Sequence, residues 1–122
     1  MTVGYLYIAL TVLLTVYGQL VLKWQVGLAG PGPEGFPAKM YFLVGLLANP
    51  WIITGFVAAF AASLAWMGAM TKFELSHAYP FMSLNFVLVL FLASLFFHEP
   101  LSTAKIVGVG LIVLGVVVGS KG

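Results

Sequence analysis

The sequence contains no cysteine, and only 7% of its residues are charged. The first absence excludes disulfides, thiolate metal sites and thiol catalysis. The second excludes an ordinary soluble domain, in which about a quarter of the residues carry charge. With 62% of the 122 residues hydrophobic and a mean hydropathy of +1.14, the apolar surface exceeds what a soluble chain of this size can bury. Lipid is therefore the expected solvent, and the length suits one domain of about four spans at roughly 20 residues each. The net charge of +2 is too small and too dispersed to point to nucleic acid.

The long uncharged runs are what is present instead. Residues 3–22 carry no charge and end at Lys23-Trp24, a cation and an aromatic of the kind that anchor at a membrane interface. This predicts a first helix over about 3–24. The run is too long for a signal-peptide core and has no basic start, so it is read as a retained helix. Thr11, Thr15, Gln19 and Lys23 recur every fourth residue along it, forming a slowly drifting polar stripe. Polar groups facing lipid are unfavourable, so the stripe is expected to face other helices or a wet cavity. For the threonines and Lys23, bonding to their own helix and snorkelling are sufficient explanations. Gln19 lies deeper and is weighed evenly between a pathway role and helix packing.

Residues 27–37, rich in glycine and proline and holding Glu34, read as a flexible loop. The uncharged run over 40–71 is too long for one span, and Asn49-Pro50-Trp51 divides it with a cap, a first-turn proline and an interface aromatic. A short interfacial helix over 38–48 and a second span over 50–71 follow. The second span carries Gly55, Ala58, Ala62, Ala65 and Ala69 at helical spacing, which lets helix backbones approach closely.

A third span over 77–97 opens irregularly. Pro80 deprives the carbonyl of Ser76 of its helical partner, and Tyr79, preceding proline, is biased away from helical geometry. In a membrane, irregular backbone is buried or lines a wet cavity. Ser83 lies one turn beyond Tyr79 and has its own helix to bond, whereas the Asn85 amide needs several partners. His98-Glu99-Pro100 then turns the chain into a fourth span over 102–119, with Glu99 at the interface. His98 and Glu99 are adjacent, point apart and have no further ligand nearby, so no metal site is expected. Ala104, Gly108, Gly115 and Gly119 share one face of that last span. Lys72 and Lys121 fall on one side of such a bundle and Lys23, Lys39 and Lys105 on the other, a balance that imposes no orientation.

The motifs YGQLVLK (residues 17–23), NPW (49–51), AYPFMSLNFVLV (78–89) and HEPLS (98–102), followed by a glycine-rich last helix, carry a resemblance over nearly the whole chain. The sequence resembles the drug/metabolite transporter superfamily in its small-multidrug-resistance-like, EamA-like branch. Within it, the nearest likeness is to subunits of the 4-amino-4-deoxy-L-arabinose-phosphoundecaprenol flippase. The multidrug exporters of this superfamily carry a helix 1 glutamate that exchanges protons for cations. Here that position is Thr15, and Glu34, Glu74 and Glu99 fall in loops or at span ends.

The resemblance thus implies an all-α membrane protein over residues 1–122, with four spans and the interfacial helix between the first two. It implies a non-enzymatic translocase of a polyprenyl-phosphate-linked sugar in the bacterial inner membrane, with no cofactor, serving lipid A modification. The substrate-binding residues expected are Thr15, Gln19, Lys23, Tyr79, Ser83, Asn85 and Glu99, with Lys23 offering charge to phosphate. A homodimer or a related second subunit is expected, because four helices are too few to enclose a path. Two alternatives stand beside it: an exporter of small molecules without the usual acid, and a non-transporting accessory subunit.

Overall fold

The computed structural model describes residues 2–121. The described chain is helical: α1 (Thr2–Ala29), α2 (Phe36–Leu46), α3 (Pro50–Met70), α4 (Leu75–Ala78), a 3-10 segment (Tyr79–Ser83), α5 (Leu84–Phe97) and α6 (Thr103–Gly119). Among the described residues, α1, α3 and the continuous stretch Leu75–Phe97 are each long and apolar enough to cross a bilayer, while α2 and α6 are shorter apolar helices. Large apolar side chains such as Leu13, Phe60, Leu95 and Leu114 face outwards, where lipid would meet them.

The centre of the fold is the α1–α3 pair, the most extensive helix contact in the chain. Ile52, Gly55, Ala58, Ala62, Ala65 and Ala69 are the buried residues of α3, recurring every three or four positions. With side chains this small, dispersion between closely approaching backbones holds the pair, since lipid removes the hydrophobic drive. At the closest point, a Cβ on Gly18 would lie 3.1 Å from the carbonyl oxygen of Gly55. Ile8, Val12 and Val16 of α1 complete this core together with Ala69 and Ala78.

Helix α1 runs past the expected boundary at Lys23-Trp24 and ends at Ala29. The next residues carry no proline until Pro31, and Gly30 with φ 85° is the first to leave the helix. That extra turn brings Gln25 over the start of α3. Asn49 accepts from the N–H groups of Trp51 (2.8 Å) and Ile52 (3.4 Å), and its own amide donates to Gln25 Oε1 at 2.9 Å. One side chain therefore caps α3 and ties it to a buried glutamine. Asn49→Ala removes both functions and is expected to lower stability by about 2 kcal/mol, read from thermal unfolding in detergent.

The entry to the third span is irregular, but as a change of helix type and not as a break. Tyr79 takes helical angles (φ −62°, ψ −40°) despite preceding Pro80. The tighter 3-10 winding carries the chain through the proline, which cannot donate to Ser76. Ser83 Oγ donates to the Pro80 carbonyl at 2.6 Å, and regular α-helix resumes at Leu84. Helix α6 packs on α5 and the 3-10 segment. Its Gly108, Gly115 and Gly119 have open space where a Cβ would stand, with nothing within 4 Å among the described residues. The glycine face is unused among the described residues.

Candidate functional site

Three elements meet around an open cavity of about 680 Å³. Thr11 and Thr15 line it from α1, and Ser63, Trp66 and Met67 from α3. The opposite wall is the 3-10 segment and the first turn of α5, which contribute Tyr79, Pro80, Ser83 and Asn85. In the 3-10 segment residues three apart stack, which sets Pro80 and Ser83 on one face, with Tyr79 and Asn85 lining the cavity on either side of them. A smaller groove on another flank of α1, lined by Ile8, Val12, Phe81, Leu84 and Leu88, is almost wholly apolar.

The polar atoms of the cavity are neutral. Among the described residues, those that line it include no carboxylate and no lysine. Thr11 Oγ1 donates to the Tyr7 carbonyl at 2.8 Å, and Ser63 Oγ to that of Ala59 at 3.2 Å. Asn85 is different. Its Oδ1 is buried and has no hydrogen-bond partner among the described residues. An unsatisfied buried acceptor is unfavourable by about 1–3 kcal/mol, and native structures hold few of them. The Trp66 and Tyr79 rings meet edge to face across the cavity, with centroids 6.1 Å apart.

Of the residues expected at a substrate site, Thr15, Tyr79, Ser83 and Asn85 line the cavity together. Gln19 is exposed and lies outside it. Lys23 and Glu99 also lie away from the cavity. They meet at the other end of α1, with Lys23 Nζ 3.8 Å from Glu99 Oε2 and side chains 62% and 41% exposed. A pair so open to solvent contributes at most about 1 kcal/mol. The reason for the division is helical geometry: a step of four residues turns about 40° past a full circle, so three such steps carry Lys23 about 120° from Thr11. Thr11 is accordingly buried, Thr15 half-buried, and Gln19 and Lys23 exposed.

Sequence reasoning missed Ser63 and Trp66 as cavity residues, and Gln25 as a buried one. Ser63 was legible only as a small residue beside the alanine stripe. Its spacing of three from Trp66, on one face of α3, is the signal that places both on the same wall.

The chain matches the family described as EamA-like transporter family over residues 8–120. It is 36% identical to a probable 4-amino-4-deoxy-L-arabinose-phosphoundecaprenol flippase subunit ArnE of Aeromonas salmonicida, over 90% of each chain. A probable subunit ArnF of the same flippase from that organism is 39% identical, over 97% of this chain and 80% of its own. The corresponding probable ArnF of Pseudomonas aeruginosa (strain LESB58) is 38% identical, over 93% and 81%. No solved structure matches the chain significantly. With helices long and apolar enough to cross a bilayer more than once and a family match across nearly its whole length, this chain is a multi-pass membrane protein and belongs to the EamA-like transporter family.

Proposed function

We propose that the chain is a subunit of a flippase that moves a lipid-linked sugar of the aminoarabinose-phosphoundecaprenol type across the bacterial inner membrane. The relatives that match it over most of their length are described as probable subunits of that flippase. The structural observation that carries the reading is a neutral, hydrogen-bonding cavity that opens at an apolar surface. Such a site suits a ligand whose long hydrocarbon tail stays in lipid while its polar head crosses between helices. The position at which multidrug exporters carry their acid is Thr15 on the cavity wall. A proton-for-cation exchange has no carboxylate to run on there.

In this reading α1, α3, Leu75–Phe97 and α6 are four spans, and α2 lies along the interface between the first two. The cavity stays open between its walls, so a second copy or a related subunit completes the path. The open glycine face of α6 supports a close helix contact for that purpose. Lys23 acts at the far rim, about 12 Å along α1 from Thr15, where it meets a phosphate in exchange for Glu99. Lys23→Ala is expected to lower transport several-fold while leaving the melting temperature within a few degrees, since its ion pair is exposed.

The deciding experiment is translocation of a short-chain polyprenyl phosphate bearing 4-amino-4-deoxy-L-arabinose in proteoliposomes, with the protein extracted gently so that any partner subunit is kept. Protein-dependent movement of the sugar to the opposite leaflet is the expected result. Movement no faster than in protein-free vesicles, together with transport of lipophilic cations, would replace the flippase by an exporter.

A further inference from the structure

We infer that Gln19 is the middle contact of a polar track along α1, by which the sugar-phosphate head passes between the cavity at Thr15 and the rim at Lys23 and Glu99. The inference rests on the flippase reading and adds to it the way between the two places and the residue that serves it.

The flank of α1 beside the cavity changes character partway along the helix. At about 100° per residue, Gln19 lies within about 20° of the directions of Ile8 and Val12, and Lys23 within about 20° of those of Val12 and Val16. Ile8, Val12 and Val16 are 3%, 6% and 4% exposed. The cluster they form with Ala69 and Ala78 is packed by Phe81, Leu88 and Leu92 of the stretch Leu75–Phe97. Gln19, Lys23 and Val26, further along the same flank, are exposed. Drift thus takes Gln19 off the face that α3 buries and onto a flank that is covered as far as Val16 and open beyond it.

The open flank begins at the cavity. Thr15, on the cavity wall, and Gln19 are neighbours one turn apart, and so are Gln19 and Lys23, each step advancing about 6 Å along α1. Three polar side chains therefore stand in a drifting line from the cavity to the exposed Lys23–Glu99 pair. Gln19 is the one whose chemistry the fold leaves unused. Tyr17 and Gln25, before and after it on α1, are bonded at 2.9 Å to Thr54 and Asn49, whereas the Gln19 amide has no partner among the described residues. An amide without a partner, one turn inside the Lys23-Trp24 interface, is unfavourable in lipid. A passing head group satisfies it. The amide carries donors and acceptors alike, so it bonds hydroxyls and phosphate oxygens in turn. Being neutral, it holds neither as firmly as a charged side chain would, which suits passage better than capture.

The test compares the unaltered protein with Gln19→Leu and Gln19→Asn, each as the full chain with any subunit it retains. The ligand is a short-chain polyprenyl phosphate bearing 4-amino-4-deoxy-L-arabinose, used for equilibrium binding in lipid nanodiscs and for translocation in proteoliposomes. Flux is counted per ligand-binding site, so misfolded protein does not enter the comparison. Gln19→Leu, close in size, is expected to lower flux about fivefold while the dissociation constant stays within about twofold, the mark of a residue used in passage and not at rest. Gln19→Asn, which keeps an amide on a shorter stem, is expected to recover about half of the flux or more. Unchanged flux in Gln19→Leu, or equally low flux in both variants, overturns the track and leaves the flippase reading standing. So does a loss of binding equal to the loss of flux, which makes Gln19 part of the resting site. Loss of flux together with loss of a subunit, read by native mass spectrometry, assigns Gln19 to a contact between chains and likewise overturns the track. Absence of protein-dependent translocation by the unaltered protein overturns the flippase reading, and the track with it.

Discussion

Gly18→Leu is expected to separate α1 from α3 and to leave little folded protein. A Cβ at this position already stands 3.1 Å from the carbonyl oxygen of Gly55, and that neighbour is backbone, with no rotamer to escape into. Alanine would push the two helices apart by tenths of an ångström, and leucine by far more. Overpacking of this kind is destabilising by about 1–3 kcal/mol, and here it falls on the contact from which the rest of the bundle is built. Gly115→Leu is the control. The space at Gly115 is open, so the isolated chain should change by no more than about 0.5 kcal/mol. Unfolding in a graded denaturing detergent, followed by helical circular dichroism, separates the two. If both variants unfold like the parent, the close approach of α1 and α3 is wrong. On the two-subunit reading, Gly115→Leu instead weakens association, which native mass spectrometry reads directly.

Asn85→Leu is expected to move stability and transport in opposite directions. The two side chains are similar in size, and the buried Oδ1 of Asn85 has no donor among the described residues. Replacing an unsatisfied polar group with an apolar one of similar shape relieves its desolvation, a gain of about 1 kcal/mol. The same substitution takes away the amide that a substrate hydroxyl would bond. A hydrogen bond between neutral groups is worth about 0.5–1.5 kcal/mol, so transport should fall by about twofold to tenfold. A melting temperature that rises while flux falls marks a residue kept for function at the expense of stability. Loss of both together would make Asn85 a packing residue.

Much of the fold was written in simple patterns. The alanine stripe of α3 was legible because three- and four-residue spacing maps directly onto one helix face, and Asn49-Pro50 marked its start by capping chemistry alone. The cavity was half legible. Tyr79, Ser83 and Asn85 cluster in sequence around a proline, and their irregular backbone announced a wall. Gln19 was harder, because a recurrence of four looks like a stripe but rotates off the buried face within two steps. Gln25 was hidden by a boundary placed at Lys23-Trp24. Only the tertiary contact with Asn49 shows why a buried amide is tolerated one turn further on. Ser63 and Trp66 share a face of α3 by their spacing of three, but that this face meets α1 and the 3-10 segment is a relation between helices that one chain segment does not encode.

The unequal lengths of α1 and α6 bear on the membrane itself. At 28 residues α1 is about 42 Å long, whereas the 17 residues of α6 make about 26 Å, against a hydrocarbon core of about 30 Å. If both span, α1 tilts or projects, and the leaflets draw together around α6. Thinning on that side shortens the apolar distance a polar head must traverse. It also favours a neighbouring helix over stretched lipid beside the glycine face of α6. The shortest of the four proposed spans would then lower the barrier to crossing without touching the cargo.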